Sequence, residues 1–300
     1  MRPTRQKIAP PKITRLKVGE PSELMSFLLA KMGGMSRNAI KSLLSHRQIM
    51  VNDKVTTQYN LPLQAGDKLT INSSAGNVEL NHPKLKIIFE DQYLIVVEKK
   101  EGLLTVSTGK GDETTAFSIL KNYVKRSSPQ NRIFVVHRID RETSGIIVFA
   151  KTREIQLAMQ ERWHEVVTRR VYVALVEGRV EKESDTIITW LTENEKSLKI
   201  HSSPVDNGGQ QAITKYRCVK SNEKYSLLEV ELETGRKNQI RVHTQGIGHP
   251  IVGDKKYGSF TSPIGRMGLH ARILAFIHPM TLQEVKFETP VPRNFLALFH

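Results

Sequence analysis

The sequence predicts an α+β protein, in which a small N-terminal α/β domain precedes a large domain of mixed α and β structure. The chain has 300 residues, which exceeds one typical domain and suits one large domain or two. Hydrophobic residues make up 39% of the chain, enough to build a core, so a wholly disordered basic protein is excluded. Helix and strand patterns alternate irregularly through the second part of the chain, without an internal repeat.

Charge and cysteine content narrow the class of protein. The chain carries 45 basic and 30 acidic side chains, and this net charge of +15 favours nucleic acid as a partner, with an anionic membrane surface second. The single cysteine, Cys218, excludes an intrachain disulfide and a cysteine-rich zinc site. Gly145–Ala150 is about the longest uncharged apolar run, far below the roughly 18 residues of a membrane span. Since the N-terminus also lacks a secretory core, we expect a soluble, cytoplasmic protein.

The first 19 residues are predicted to form a basic, flexible arm. Residues 1–17 contain no acid, and their basic side chains are Arg2, Arg5, Lys7, Lys12, Arg15 and Lys17. Prolines at positions 3, 10 and 11 prevent a helix from propagating. A tail that contacts phosphates is therefore preferred to an organellar transit peptide, which would be richer in serine.

Residues 20–80 are predicted to form a compact domain of helices and short strands. Leu24, Phe27 and Leu28 have helical spacing, and Ser36 is a suitable N-cap for a second helix. Strands are expected at Ile49–Val51, Lys54–Thr57 and Leu69–Ile71, with turns at residues 52–53 and 66–67. Loop-forming residues at 73–76 and 81–83 mark the predicted domain boundary.

The pattern of this small domain resembles a known RNA-binding domain. Residues 36–71 read SRNAIKSLLSHRQIMVNDKVTTQYNLPLQAGDKLTI, which is similar to a domain shared by a small-subunit ribosomal protein and tyrosyl-tRNA synthetases. Arg37 and Lys41 are four residues apart and share one helix face, so the resemblance implies that they bind RNA. A helical module with ordinary surface charges is the alternative.

Residues 84–300 are long enough for one large domain. Its strands are predicted at Leu94–Val97, Ile146–Ala150, Val171–Val176 and Leu228–Glu233. Val171–Val176 is apolar on both faces and should be buried, whereas strict alternation in Leu228–Glu233 predicts one buried and one wet face. Thr152 is the expected N-cap of a helix over Arg153–His164.

Three segments of the large domain carry dense groups of reactive side chains. They read VVHRIDRETSGIIVFAK at 135–151, RRVYVALVEG at 169–178 and ETGRKNQIRVHTQGIGHPIVGDKKYG at 233–258, and LHARILAFIHP follows at 269–279. In the first segment Asp140 lies among arginines, which usually means a surface ion pair. An arginine neighbour also keeps a partly buried carboxylate ionised, and such a group can attack a sugar anomeric carbon, as in glycosidases. The residues alone leave both interpretations open.

The second segment contains an aromatic ring that can stack, and the third contains a cluster of basic side chains. Tyr172 lies in an otherwise apolar run, so its hydroxyl needs a partner and its ring offers a stacking face. An ordinary core tyrosine is the equal alternative. In the third segment Gly235 ends a strand, and the basic residues that follow with helical spacing are Arg236, Lys237, Arg241 and His243.

Neither a metal nor a nucleotide cofactor is predicted. The histidines at 243, 249, 270 and 278 lack a HExxH motif or a close group of carboxylates. Residues 109–111 (GKG) lack the spacing of a phosphate-binding loop, and residues 246–248 (GIG) lack the third glycine of a dinucleotide fingerprint.

Together these segments resemble the RluA-type family of pseudouridine synthases. The family motifs read HR.D..TSG..V.AK, K.Y.A.V.G and TGR.HQIRVH…GHP..GD..YG, with a closing LHA..L.F.HP, and they match this chain in order over about residues 87–299. The resemblance implies an α+β pseudouridine synthase fold with a long, mostly antiparallel mixed sheet. It also implies an enzyme that isomerises uridine to pseudouridine in RNA without a cofactor.

The resemblance assigns roles to individual residues. Asp140 matches the catalytic aspartate, which attacks the ribose anomeric carbon or otherwise promotes glycosidic cleavage. Arg241 matches the basic partner of that aspartate. Tyr172 matches the tyrosine that packs beneath the base and is a candidate for handling the C5 proton. Arg138 matches the arginine that fills or holds open the space of the flipped nucleotide, and Arg236 is expected to bind RNA.

Three positions depart from the motifs and concern the edge of the pocket rather than the reaction. Arg170 stands where lysine is usual, Asn238 replaces a histidine and Lys100 replaces a proline.

The resemblance favours large-subunit ribosomal RNA as the substrate, because family members with an extra N-terminal domain mostly act there. Transfer RNA is the runner-up. A non-catalytic RNA-binding factor for ribosome assembly is an alternative of a different class. The resemblance implies no membrane association and no required protein partner.

Overall fold

The structure is a computed structural model that describes residues 13–45, 48–72, 80–109 and 113–299. The chain divides into two compact units, an N-terminal unit of Met1–Glu79 with Asn122–Asn131 and a large unit of Leu80–Lys121 with Arg132–His300. Most of the boundary loop expected between 73 and 83 falls outside the described residues. None of the described helices has both the length and the apolar character needed to cross a membrane.

The described residues of Met1–Glu79 form two helices and short strands. They are β1 (Ile13–Lys17), β2 (Ser22–Glu23), α1 (Leu24–Lys31), α2 (Arg37–Ser45), β3 (Ile49–Val51), β4 (Lys54–Val55), β5 (Pro62–Leu63) and β6 (Lys68–Asn72). Four of the described strands form a sheet in the order β1-β6-β3-β4, and β2 pairs with β5. Leu24 and Leu28 of α1 and Ile40 and Leu44 of α2 are buried in its core. The predicted helical spacing is therefore confirmed.

Local signals in this unit placed the helix start and the turn correctly. Helix α2 follows Ser36, whose Oγ accepts a hydrogen bond of 3.2 Å from the Ala39 N–H. Asn52 and Asp53 have φ angles of 51° and 63°, the left-handed pair of a two-residue hairpin turn. The following strand is shorter than expected, since β4 ends at Val55 instead of Thr57.

The flexible arm predicted over residues 1–19 is wrong in its last part. Ile13–Lys17 is a strand that pairs antiparallel with β6 along its whole length. Thr14 and Leu16 are partly buried, whereas Arg15 and Lys17 point to solvent, so the basic residues occupy the outer face of a paired strand. The prolines that argued for an arm all precede this strand. Residues 1–12 lie outside the described residues.

The large unit is built around one long sheet. Its first strands and helices are β7 (Leu85–Glu90), β8 (Leu94–Lys99), α3 (Ala116–Ser127, which runs on into the other unit), β9 (Phe134–Val135), β10 (Ser144–Ala150), α4 (Arg153–Glu161), α5 (Trp163–Val166) and β11 (Arg169–Glu177). The later ones are β12 (Ser184–Glu193), β13 (Ile200–Ser203), β14 (Gln210–Ser221), β15 (Tyr225–Leu232), α6 (Gln239–Gly246), β16 (Leu269–Ile277), β17 (Glu284–Glu288) and α7 (Arg293–Leu296). The described strands of the sheet run β13-β12-β14-β15-β11-β16-β10-β8-β7, with β17 beside β16 and β9 beside β10.

The sheet is mixed but mostly antiparallel, as the sequence predicts. The parallel pairing among the described strands joins β10 to β16, through Ser144 opposite His270 and Gly145 opposite Ala271. Gly145 has φ 120°, and a Cβ there would lie 2.1 Å from the Ala271 carbonyl oxygen. Because only glycine permits this approach, the glycine of the TSG motif fixes the start of β10 against β16.

Strand β11 lies in the middle of the sheet and is buried on both faces, as predicted. Ala174 and Val176 pack into one hydrophobic cluster. Val173 and Leu175 pack into another, with Phe295. The apolar run on this strand thus reports burial between two layers.

The alternation of hydrophobic and acidic residues in β15 predicts one solvent-exposed face. In the structure, other side chains partly cover this face. Glu229 and Glu231 are partly buried, because arginines of other strands of the sheet reach across them. Glu229 pairs with Arg272 at 3.0 Å and with Arg217 at 3.2 Å, and Glu231 pairs with Arg169 at 3.4 Å. Cross-strand ion pairs therefore replace open solvent on this face.

The helix predicted over Arg153–His164 is divided. Helix α4 ends at Glu161 and the short helix α5 begins at Trp163. The start of α4 is as predicted, since the Thr152 side chain accepts a hydrogen bond of 3.3 Å from the Ile155 N–H. The break at Arg162 turns Trp163 toward the cavity described next.

Candidate active site

A cavity of about 270 Å³ opens on the large unit and brings distant parts of the sequence together. Asp140, Tyr172 and Arg241 all line it, with Arg138 and Arg236 at the same cavity. Arg37 and Lys41, the other two predicted site residues, are exposed on α2 of the N-terminal unit. The Lys41 ammonium lies 5.7 Å from the centre of the Tyr59 ring, a cation–π distance.

Asp140 lies in the loop between β9 and β10, and both of its chain neighbours are anchored. Thr105 Oγ1 donates a hydrogen bond of 2.8 Å to the Ile139 carbonyl and accepts one from the Ile139 N–H. The ammonium of the fully buried Lys99 donates to the Arg141 carbonyl at 3.0 Å. The side chain of Asp140, about one third exposed, is thus held at the cavity by a rigid loop.

Arg241 extends from α6 to a position between two carboxylates. Its Nη1 donates to Asp140 Oδ2 at 3.1 Å, while Nε and Nη2 donate to Asp254 Oδ2 and Oδ1 at 2.6 and 2.8 Å. Burial acts to lower the pKa of Arg241, but the hydrogen bonds and charges of Asp254 and Asp140 raise it above its ordinary value. Arg241 is therefore a permanent cation beside Asp140.

Tyr172 faces the cavity from the middle of β11. The register between β11 and β16 shifts between Val171 and Tyr172, and such a bulge redirects a side chain. Burial raises the pKa of the Tyr172 hydroxyl, so it stays protonated at neutral pH. Within the described residues this hydroxyl has no hydrogen-bond partner, although the sequence led us to expect one. It is left available to a ligand.

The cavity is also lined by His137, Trp163 and Arg170, to which the sequence assigned no catalytic role. The rings of His137 and Trp163 lie 4.9 Å apart, and burial lowers the pKa of His137 to about 3, so the imidazole is neutral. Arg170 Nη2 donates to the Leu232 and Glu233 carbonyls. Trp163 gave no local signal, because it follows a helix end without a motif around it.

Two residues before α6 differ from their predicted helical position. The helix begins at Gln239, after Asn238 with a left-handed φ of 56°, so Arg236 and Lys237 belong to a turn. The Arg236 N–H donates to Gln239 Oε1 at 2.9 Å and its Nε donates to the Gln211 carbonyl at 3.1 Å. Arg236 is therefore held at the cavity by the turn itself.

Two buried histidines, His243 and His270, form hydrogen bonds with hydroxyl groups of the sheet. His243 lies between the hydroxyls of Thr214 and Thr189, at 2.8 and 2.9 Å, and burial lowers its pKa to about 4. His270 likewise bonds Ser144 and Thr289. Among the residues that the structure describes, no group of three or more potential metal ligands comes together.

Sequence comparisons relate the chain to known proteins. The family model described as RNA pseudouridylate synthase matches residues 93–246. The chain is 33% identical over 272 residues to a Bacillus subtilis protein named uncharacterized RNA pseudouridine synthase YhcT, covering 88% of each chain. It is 37% identical over 225 residues to ribosomal large subunit pseudouridine synthase D of Nitrosomonas europaea, covering 71% of this chain and 64% of that one.

A solved structure shows the same fold. The human RNA pseudouridylate synthase domain containing 4 superposes with a TM-score of 0.57 at 24% identity. The superposition covers 70% of this chain and 90% of the human chain.

Proposed function

The chain belongs to the RNA pseudouridylate synthase family, and on that premise we propose that it isomerises specific uridines in large-subunit ribosomal RNA with Asp140 as the nucleophile. The observation that carries this proposal is the contact of 3.1 Å between Arg241 and Asp140 at a cavity that Tyr172 also lines. A carboxylate, a cation and an aromatic ring thus lie at one cavity.

The reaction requires a carboxylate that is ionised but not fully engaged. Oδ2 of Asp140 accepts from Arg241, and within the described residues its other oxygen has no partner. That oxygen attacks C1′ of the ribose and the C1′–N1 bond breaks. The electron pair of the broken bond leaves with N1 of uracil. After the base rotates, C5 attacks C1′ and releases the carboxylate. The C5 proton then passes to water, and N1 takes up a proton from water. Atoms and electrons balance without an oxidant or a metal.

Tyr172 and the arginines act on the base and its flanking phosphates. The target atom is inaccessible inside a stacked helix, so the nucleotide must leave the stack and enter the cavity. The Tyr172 ring packs against the uracil, and its protonated hydroxyl donates a hydrogen bond to the base. Exposed Arg138 occupies the space that the nucleotide leaves, and Arg236 contacts a phosphate at the cavity edge.

Large-subunit ribosomal RNA is preferred as the substrate for two reasons. One relative, 37% identical, is named for the large ribosomal subunit. The N-terminal unit carries the exposed pair Arg37 and Lys41, which suits phosphate contacts on an extended, structured RNA. Transfer RNA is the second candidate.

Pseudouridine mapping tests the proposal. Total RNA from cells with and without the protein is compared, and cells that produce the Asp140→Asn variant serve as the matched control. We expect one or more pseudouridines in large-subunit ribosomal RNA to be lost without the protein and not restored by the variant. If pseudouridines are lost only from transfer RNA, transfer RNA is the substrate instead. If the Asp140→Asn variant restores the lost pseudouridines, Asp140 is not the nucleophile.

A further inference from the structure

Arg241 divides its hydrogen bonds unequally between two acidic residues. Asp254 receives a parallel pair from Nε and Nη2, at 2.6 and 2.8 Å. Asp140 receives one bond, from Nη1 at 3.1 Å, and Asn238 Oδ1 accepts from the same nitrogen at 3.1 Å. Two parallel bonds are the preferred arrangement between a guanidinium and a carboxylate, and Asp254 rather than Asp140 has it.

Burial makes the Asp254 contact the stronger one. The Asp254 side chain is 2% exposed, against 35% for Asp140. An ion pair with that little solvent is weakly screened, and removing one partner leaves an uncompensated charge. Asp254 therefore fixes where the guanidinium lies.

The neighbouring residues Tyr257 and Asn238 support the same orientation of the Arg241 guanidinium. The guanidinium carbon of Arg241 lies 4.9 Å from the centre of the Tyr257 ring, which is fully buried. The Tyr257 hydroxyl accepts bonds from the Ile200 N–H at 3.1 Å and from Asn238 Nδ2 at 3.0 Å. The ring and Asn238 thus keep the guanidinium plane fixed while Asp254 holds one of its edges.

We propose that Asp254 is a positioning residue that holds Arg241 so that Asp140 receives a single hydrogen bond and retains one free oxygen for the ribose. The proposal rests on the proposed function, in which Asp140 is the nucleophile. Without the Asp254 carboxylate, the guanidinium can turn its parallel pair of N–H groups toward Asp140. Both carboxylate oxygens are then engaged, and the nucleophile is weakened.

Asp254 also sets the charge that Asp140 experiences. The cations whose fields reach Asp140 are Arg241 on α6, Lys99 on β8 and Lys256 in the turn before Gly258, and the Tyr172 hydroxyl faces it from β11. Asp254 is the acid in contact with Arg241 on its far side, and it cancels much of that charge. Its loss leaves the positive charge of Arg241 uncompensated on that side, beside Asp140.

The test is the Asp254→Asn substitution in the full chain. The amide keeps the size of the side chain but offers one accepting oxygen and no charge. The control is Glu229→Gln, which removes an acid from an ion pair with Arg272 away from the cavity. The substrate is bulk RNA from cells that lack the protein, labelled with uridine that carries tritium at C5. Single-turnover rates of the purified variants on this RNA are measured from pH 5 to 9.

We expect Asp254→Asn to lower the plateau rate at least tenfold and to move the acidic limb of the pH–rate profile toward lower pH by about half a unit or more. Glu229→Gln should change neither. A purely structural role for Asp254 would lower the rate through loss of folded protein and leave the acidic limb in place. A folded Asp254→Asn protein with a wild-type plateau or an unmoved limb would overturn the proposal.

Two further variants keep the result interpretable. If Asp254→Asn does not fold, Asp254→Glu carries the test: it keeps the charge but changes the geometry, so the rate should fall while the limb stays in place. An unchanged rate would then contradict the positioning role. Asp140→Asn is assayed in parallel, because activity in that variant would overturn the proposed function itself, whereas failure of the Asp254 result alone would not.

Discussion

Arg241 Nη1 lies 3.1 Å from Asp140 Oδ2, although 101 positions separate the two residues in the chain. Asp140 arrives on the loop before β10, and Arg241 arrives on the helix that follows β15. The long sheet brings these elements together, with Tyr172 on the strand β11 between β15 and β16. The contact therefore depends on the fold rather than on either segment alone. It can be tested by replacing Asp140 or Arg241.

Replacement of Asp140 by Asn should abolish turnover but not RNA binding. The amide has nearly the same shape but no charge, so it cannot attack C1′, and the rate should fall by about 10⁴ or more. Binding should survive, because phosphate contacts dominate affinity for RNA. Tritium release from C5-labelled RNA measures the rate, and filter binding measures affinity. A rate within tenfold of wild type would remove Asp140 from the role of nucleophile.

Replacement of Arg241 by Met should move the acidic limb of the pH–rate profile to higher pH. Methionine keeps much of the aliphatic volume but removes the cation that stabilises the ionised form of Asp140. The shift should be opposite in sign to that of Asp254→Asn, although both variants are slower than wild type. Single-turnover rates between pH 5 and 9 measure it. Arg169→Met is the control, because Arg169 forms a more exposed pair with Glu231.

Replacement of Tyr172 by Phe should separate stacking from hydrogen bonding. The ring remains, so affinity for RNA should change by less than about threefold. Because burial raises the pKa of Tyr172, the wild-type hydroxyl is a hydrogen-bond donor at neutral pH, and its loss should lower the rate by about 10 to 100 times. Normal turnover of Tyr172→Phe would show that the ring alone matters.

The sequence predicted those features whose signal is local. Thr152 and Ser36 cap helices where expected, and the apolar run of β11 reported its burial, because caps and burial patterns depend on residues a few positions apart. The motifs located Asp140, Tyr172 and Arg241, and the structure brings these three to one cavity.

Features that depend on distant partners could not be predicted in this way. The ion pair of Asp254 with Arg241 requires a turn and a helix to meet, and the GD..YG motif that contains the acid does not indicate its partner. The basic residues of β1 predict part of an arm, because the sequence does not show that this strand pairs with β6. Trp163 reaches the cavity through a helix break at Arg162 that no proline or glycine marks.

Buried His243 should make the large unit less stable in acid. Burial lowers its pKa to about 4 in the folded chain, against about 6.5 when unfolded, so its neutral form favours folding fully above pH 6.5. That contribution is lost as the pH falls from 6.5 to 4, because the unfolded chain takes up a proton that the folded chain cannot. The expected loss is about 1.4 kcal/mol per pH unit in the middle of that range.

The His243→Gln variant isolates this effect. Its free energy of unfolding should fall less steeply between pH 6.5 and 4 than that of wild type, by about one proton. Urea unfolding followed by tryptophan fluorescence measures it, since Trp163 and Trp190, the two tryptophans of the chain, both belong to the large unit. The control is His201→Gln, whose histidine is exposed. Equal slopes for wild type and His243→Gln would contradict the prediction.

Arg37 and Lys41 on α2 should contribute to RNA affinity without affecting the chemical step. Both are exposed, and they lie one helical turn apart on the N-terminal unit. Changing both to Gln removes two phosphate contacts, so the slope of log affinity against log salt should become shallower by about one to two units. The matched control is Lys220→Gln with Lys224→Gln, two exposed lysines of which the first lies near the end of β14 and the second in the turn between β14 and β15. Affinity is measured at several salt concentrations, and single-turnover rates at saturating protein. A double variant with the wild-type slope would show that this helix does not hold RNA, and a slower rate at saturation would instead assign α2 a part in the reaction.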